Sequence, residues 1–214
     1  MRTDGRFRRW GSWALALGLA GILAGCLNPI YRPQRTRYTY GLTMTEPAKT
    51  DANSYEDESL YISFQFFQTQ IGFHILNNTR RPLTIYWDKS RYLSETGTAK
   101  RVFHKGVPVR NRNKPQRPTV IPAKTSIDEH VIPIENVLQG FLPRSKVQPI
   151  FPVWDYEDRF YSERGRQAAD RAATRRRATA ASLEGRTVGV DLAMEVNGSQ
   201  KTYRFRFLVK VSRQ

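Results

Sequence analysis

The chain has 214 residues, 39% of them apolar, which suits one β domain of ordinary size with a tail, or two small domains, and argues against a large multi-domain enzyme. Thirty-five Lys and Arg stand against 19 Asp and Glu, a net charge of +16 with a pI near 10.4, so the expected partners are anionic. The single cysteine excludes an internal disulfide framework, a Cys-based zinc site and an iron–sulfur cluster.

The first elements in chain order form a leader. Arg2, Arg6, Arg8 and Arg9 make a cationic start, residues 13–23 are apolar, and Leu23-Ala24-Gly25-Cys26 closes the run. A positive start, a short apolar stretch and a small-residue cleavage site are the parts of a secretory signal peptide, and the apolar run is shorter than the roughly 20 residues a permanent membrane helix needs. Leu23-Ala24-Gly25-Cys26 resembles the lipobox of bacterial lipoproteins. That resemblance implies cleavage between Gly25 and Cys26 and acylation of Cys26 with chains such as palmitate, and several chains at about 0.8 kcal/mol per buried CH₂ anchor a protein stably. The exported part would carry 31 basic and 18 acidic residues, a net +13. Leu27 stands where the best-known sorting rule places an Asp for inner-membrane retention, so the expected location is the bacterial envelope, at the outer membrane facing the periplasm.

Three segments follow: residues 1–25 as the signal peptide, 26–59 as a lipidated, polar tether with no sustained period, and 60–214 as a β-sandwich domain. Leu60, Ile62, Phe64 and Phe66 alternate with polar residues and place four large side chains on one face of a strand. Ile71, Phe73 and Ile75 repeat the pattern, 77–82 is a turn cluster, and Leu83, Ile85 and Trp87 give a third strand with Trp87 as a core aromatic. Shorter strands are predicted near 100–104, 119–121 and 126–132, separated by a loop over 105–117 that carries five basic residues and no acid. One helical turn is expected over 134–138.

The end of the chain carries the cleanest pattern. Val188, Val190, Leu192, Met194 and Val196 alternate up to Asn197-Gly198, and Tyr203, Phe205, Phe207, Val209 and Val211 alternate after it, the mark of a type I′ hairpin. Arg204, Arg206 and Lys210 fall on its outward, basic face. The predicted fold is mainly β: a single antiparallel immunoglobulin-like β-sandwich with a C-terminal hairpin and an Arg/Ala-rich insertion, helical or disordered, over 155–186.

Residues 73–122 resemble a group of bacterial lipoproteins that share a small immunoglobulin-like sandwich and carry no assigned activity. The resemblance rests on Asn77-Asn78-Thr79, on residues 82–88, on Arg101 to Val107 and on Pro118 to Pro122. It implies fold and export and transfers no chemistry.

The residues hold few candidates for catalysis. His74, His104 and His130 lack the local pairing of metal ligands, and G-x-S-x-G, H-E-x-x-H and Gly-rich phosphate loops are absent, so no metal, cofactor or enzymatic activity is expected. An alternative is an envelope enzyme acting on glycan or lipid through Asp155 and Glu157 beside Trp154 and Tyr156. Another is a pilotin-like accessory protein of a secretion or pilus system, working by strand addition. Between residues 164 and 186, Arg164, Arg166, Arg171, Arg175, Arg176, Arg177 and Arg186 face only Asp170 and Glu184. Alanine and arginine favour helix, but the stretch has hardly any large apolar residue to bury. In an exported, anchored chain these arginines suit anionic lipid, lipopolysaccharide or an acidic envelope protein and not nucleic acid; a merely solubilising surface is the alternative. The function expected is that of a non-enzymatic, membrane-anchored structural or binding subunit of the envelope.

Overall fold

The structure, a computed structural model, describes residues 38–50, 52–138, 146–151 and 163–213. Its elements are β1 (Tyr38–Glu46), β2 (Ser54–Glu56), β3 (Leu60–Phe66), β4 (Ile71–Asn77), β5 (Leu83–Ile85), β6 (Arg91–Leu93), β7 (Ala99–His104), β8 (Thr119–Ile121), β9 (Ser126–Pro133), β10 (Val137–Leu138), β11 (Lys146–Val147), α1 (Glu163–Leu183), β12 (Thr187–Val196) and β13 (Ser199–Arg213). The class is mainly β and antiparallel, as the alternation requires. One continuous hydrogen-bonded path runs β1-β13-β12-β6-β7-β9-β4-β3-β2 and curls nearly into a barrel.

The C-terminal hairpin is the spine. Val196 pairs with Ser199 around Asn197 and Gly198, whose φ values of 53° and 80° are those a type I′ turn needs. The pairing continues to Thr187 opposite Leu208, and β13 then takes β1 on its other edge, from Glu46 opposite Arg206 to Tyr38 opposite Arg213. Phe205, Phe207, Val190 and Leu192 are fully buried, and each large apolar side chain sealed in this way contributes about 1.5–3 kcal/mol. Phe64 of β3 meets them from the opposite wall, its ring 4.8 Å from that of Phe205 and 5.0 Å from that of Phe207.

Part of the expected tether is therefore strand: β1 and β2 both belong to the sheet, and Tyr38 and Met44 are buried. The β1 sequence, YTYGLTMTE, has only modest apolar alternation, and its place comes from pairing with the long edge of β13.

The third predicted strand is also corrected. Leu83–Ile85 pairs with β12, but the chain then leaves the ladder in a 3-10 turn, Trp87–Lys89, and returns as β6 on the same edge of β12. Over the gap the Ser90 hydroxyl donates to the Tyr86 carbonyl at 2.9 Å and accepts the Ala193 amide at 3.1 Å, replacing a missing backbone partner. The turn drives Trp87 into the core, where its Nε1 donates to the Thr119 hydroxyl at 2.8 Å and its ring stacks on His104 at 4.4 Å.

β7 joins the two halves by changing partners. Ala99–Arg101 pairs with β6, and Val102–His104 pairs with β9. Where β6 ends, Gln116 covers the vacated edge, accepting the His104 amide at 3.2 Å and donating to the Val102 carbonyl at 2.7 Å. The expected helical turn over 134–138 is a 3-10 turn, Ile134–Asn136, that leads into β10. Beside it Phe103, Ile132 and Val137 form a second small apolar cluster.

Candidate functional site

Three places gather the candidate residues. The first is α1. The Arg/Ala-rich stretch is helical, as its propensity allows, and Arg171, Arg175 and Arg177 are exposed while Arg176 is half-buried. Arg171 Nε donates to the Gln167 carbonyl at 3.2 Å along the helix surface. The expectation that this helix buries no apolar face is corrected at its last turn: Ala180 and Leu183 are buried, and Leu183 joins the main core. The side chains of Arg164 and Arg166 lie outside the described residues, as do Gly25, Cys26 and the aromatic-acidic segment Trp154, Asp155, Tyr156 and Glu157. On the hairpin's outer face Arg204 and Lys210 are exposed, but Arg206 folds across Gly189 and pairs with Asp191 at 2.6 Å. A Cβ at Gly189 would sit 2.7 Å from the Phe205 carbonyl oxygen and from the Arg206 guanidinium, so only glycine leaves room for that pair.

The second place is the outer face of β4 and β9. His74 lies across from Asp128 and bonds it through Nδ1 at 2.8 Å, and His130 lies across from Gly72. With Ser63, Gln65 and Lys105 they line a shallow cavity of about 500 Å³. Burial holds the His130 imidazole below its ordinary pKa, helped by Lys105 and His104 and opposed by Glu129, so it stays neutral at pH 7. His104 instead points inward, sandwiched against Trp87 and 3.6 Å from the Glu129 carboxylate. The three histidines thus divide between two faces, and among the described residues no group of three or more His, Cys, Asp or Glu is arranged to hold a metal ion.

The third place was not legible in the sequence. The path ends at β1 and at the short β2, which covers only part of β3, and Asn53 bridges the gap left between β1 and β3. At φ 49°, a left-handed geometry asparagine tolerates, its Oδ1 accepts the Met44 amide at 2.8 Å, its Nδ2 donates to the Leu42 carbonyl at 2.7 Å, and its own carbonyl accepts the Phe64 amide at 2.9 Å. One residue thereby ties β1 to β3. Away from this tie the strands part, and a cavity of about 240 Å³ opens, walled by Tyr38, Tyr40, Leu42, Phe66, Ile71 and Val188. Burial, with a smaller effect of Tyr38, pushes the Tyr40 phenol up to about 12, so it remains a protonated hydrogen-bond donor at neutral pH. Near the opposite end of the seam Asp57 accepts the amides of Ser59 and Leu60 and the hydroxyls of Tyr55 and Tyr203.

The sequence matches no protein-family model, and comparison with curated proteins and with solved structures returns no match. Among the described residues no helix is long and apolar enough to cross a membrane.

Proposed function

We propose that the chain is a lipid-anchored β-domain lipoprotein of the bacterial envelope, held by acyl groups on Cys26 and acting as a binding subunit toward anionic envelope lipid. The leader supports the anchor: a cationic start, an apolar run and Leu23-Ala24-Gly25-Cys26 in the order that export and acylation need. The observation that carries the binding reading is α1, a helix whose fully buried described residues, Ala180 and Leu183, lie in its last turn and which presents Arg171, Arg175 and Arg177 to solvent. Arginine forks grip phosphate through paired hydrogen bonds, and each basic residue near an anionic bilayer adds about 1 kcal/mol at moderate salt.

Two measurements test the reading. Metabolic labelling with an alkyne-bearing palmitate analogue should tag the wild-type chain and leave Cys26→Ser untagged; an untagged wild type removes the anchor. Co-sedimentation with phosphatidylglycerol vesicles should exceed that with phosphatidylcholine vesicles, and Arg171→Ala/Arg175→Ala/Arg177→Ala should lose about tenfold or more of that affinity while keeping its urea midpoint. Equal sedimentation of the triple variant and the wild type removes α1 from the binding surface.

A further inference from the structure

The outer face of β3, β4 and β9 carries chemistry unlike that of α1. Two rows of residues cross it: Ser63, His74 and Asp128 stand opposite one another on the three strands, and so do Gln65, Gly72 and His130. Residues directly opposite in an antiparallel ladder share a face. Gly72 contributes no side chain, so the middle of the second row is empty. The cavity of about 500 Å³ opens over this gap, a size within the roughly 300–1,000 Å³ of small-molecule pockets.

An aromatic ring borders the gap. Phe67 follows β3 in the turn that its amide closes on the Gln70 carbonyl at 3.0 Å, and the edge of its ring lies over Gly72. A Cβ on Gly72 would sit 2.8 Å from Phe67 Cε2, so glycine is what lets the ring lie there. Phe67 is nonetheless 46% exposed, one of two large apolar side chains so open to solvent among the described residues. Its open surface lines the cavity.

The polar groups around the ring are uncommitted. Among the described residues, the side chains of Ser63, Gln65, Gln70 and His130 have no hydrogen-bond partner, and all four line the cavity. Each glutamine amide offers donors and an acceptor, the serine hydroxyl offers both, and the neutral imidazole of His130 offers one of each. His74 is different: Asp128 fixes it as a wall.

Charge narrows the class of ligand. At the surface of the cavity Lys105 and Asp128 cancel, with the lysine ammonium on the Asp128 carbonyl at 3.2 Å, while Glu129 is mostly buried and lies 3.6 Å from His104. In a chain of net +16 this is a place with no excess of positive charge, so it has little to hold an anion. A wholly apolar ligand would desolvate four polar side chains and leave them unpaired. A neutral polyol with one apolar face satisfies both constraints: a pyranose sugar lays its C–H groups on an aromatic ring and turns its hydroxyls to amides at the edge.

We propose that this cavity binds a neutral pyranose sugar, its C–H face on Phe67 and its hydroxyls bonded by Ser63, Gln65, Gln70 and His130. The site requires neither the anchor nor α1, since neither Cys26 nor any residue of α1 lines it among the described residues.

The experiment uses the full chain in phosphatidylcholine nanodiscs, which avoid sugar-headed detergents, with empty nanodiscs as the baseline. Saturation-transfer NMR with irradiation of the aromatic protons is recorded for methyl β-glucoside, methyl β-galactoside, methyl N-acetyl-β-glucosaminide, cellotriose and N-acetylated chitotriose. Titration up to about 10 mM saturates a site with a Kd of order 1 mM. The expected result is saturable transfer above the baseline to the ring C–H protons of at least one of these sugars. Tighter binding of a trisaccharide than of its monosaccharide identifies a glycan as the source, and equal binding identifies a single sugar. Phe67→Ala should weaken binding about tenfold, and Phe67→Tyr, which keeps the ring, should stay within about twofold of wild type. Gln65→Ala/Gln70→Ala should weaken it several-fold and carries the test alone if Phe67→Ala does not fold. Transfer that never exceeds empty discs with any of the five sugars overturns the proposal. So do folded Phe67→Ala and Gln65→Ala/Gln70→Ala variants that bind as wild type, and so does displacement of the sugar by inorganic phosphate, which would mark an anion site at Lys105.

Discussion

The hairpin side of the sheet and the seam side close by different means. From β1 through β13 to β12, the strands are joined by long backbone ladders, broken only by a register shift between Met44 and Glu46, and the inward side chains, Phe205 and Phe207 among them, are fully buried. At the seam between β1 and β3 the ladder is replaced by the side-chain amide of Asn53. The same substitution recurs wherever the path breaks, at Ser90 across the gap between β5 and β6 and at Gln116 where β7 leaves β6. A polar side chain that mimics a peptide satisfies buried amides without a strand and leaves space beside it, which is how the seam comes to hold an apolar slot.

The largest effect should come from the ladder side. Phe205→Ala removes a fully buried ring that touches Phe64 on the facing wall, and it should cost about 3–5 kcal/mol in guanidinium unfolding. Combining it with Phe64→Ala should give less than the sum of the single effects, since the residues are in contact. Fully additive losses would mean that the two halves do not share one core.

A smaller loss should follow at the seam. Asn53→Ala removes two hydrogen bonds to β1 and places an ordinary residue at positive φ, for a cost of about 1–3 kcal/mol. Hydrogen exchange separates this from a general loosening: the Met44 amide should lose protection while the Val190 and Phe205 amides keep it. Asn53→Gly keeps the backbone geometry without the amide and should show the same local exchange. If it behaves as wild type, β1 is held by β13 and the Met44–Thr50 bridge without help from the Asn53 amide.

The smallest effect is a pH dependence at the other end of the seam. Burial disfavours the Asp57 carboxylate, but the amides of Leu60 and Ser59, the Tyr203 hydroxyl and the Lys201 ammonium outweigh it and hold its pKa below the usual carboxylate range. A folded-state pKa below the unfolded value of about 3.9 means this stabilisation is complete above pH 4 and is lost as the pH falls through the folded value. Urea midpoints measured from pH 6 down to pH 2 should fall in the acid range, and Asp57→Asn should flatten part of that fall. An unchanged slope in Asp57→Asn would leave the carboxylate with no part in the seam's acid sensitivity.

Much of the fold was legible because burial on one face writes a period of two. β3, β4, β12 and β13 carry that period in large apolar residues, and Asn197-Gly198 marks the turn through its tolerance of positive φ. β1 was not legible: Tyr38, Tyr40, Leu42 and Met44 do alternate, but Tyr40 and Leu42 are only half-buried, and the strand is secured by its partner. The break at Trp87 was hidden for the opposite reason, since a tryptophan in phase with Ile85 reads as a continuing strand although it enters the core from a turn. For the candidate site, composition located the arginines of α1 but not the burial of Ala180 and Leu183, which depends on where β13 lies. Asn53 and Gln116 had only a weak signal, amide side chains beside breaks in the pattern.

The sequence by itself determined the strand-rich class, the C-terminal hairpin, a basic stretch free to be helical or disordered and, through Leu23-Ala24-Gly25-Cys26, the expectation of a lipid anchor, because each is written in neighbouring residues. Only the tertiary structure decided that the path curls until β1 approaches β3, that one asparagine spans the remaining gap, and that an apolar slot opens beside it. Those outcomes depend on registers between residues as far apart as Tyr38 and Arg213, and no local period records which distant edge a strand will meet.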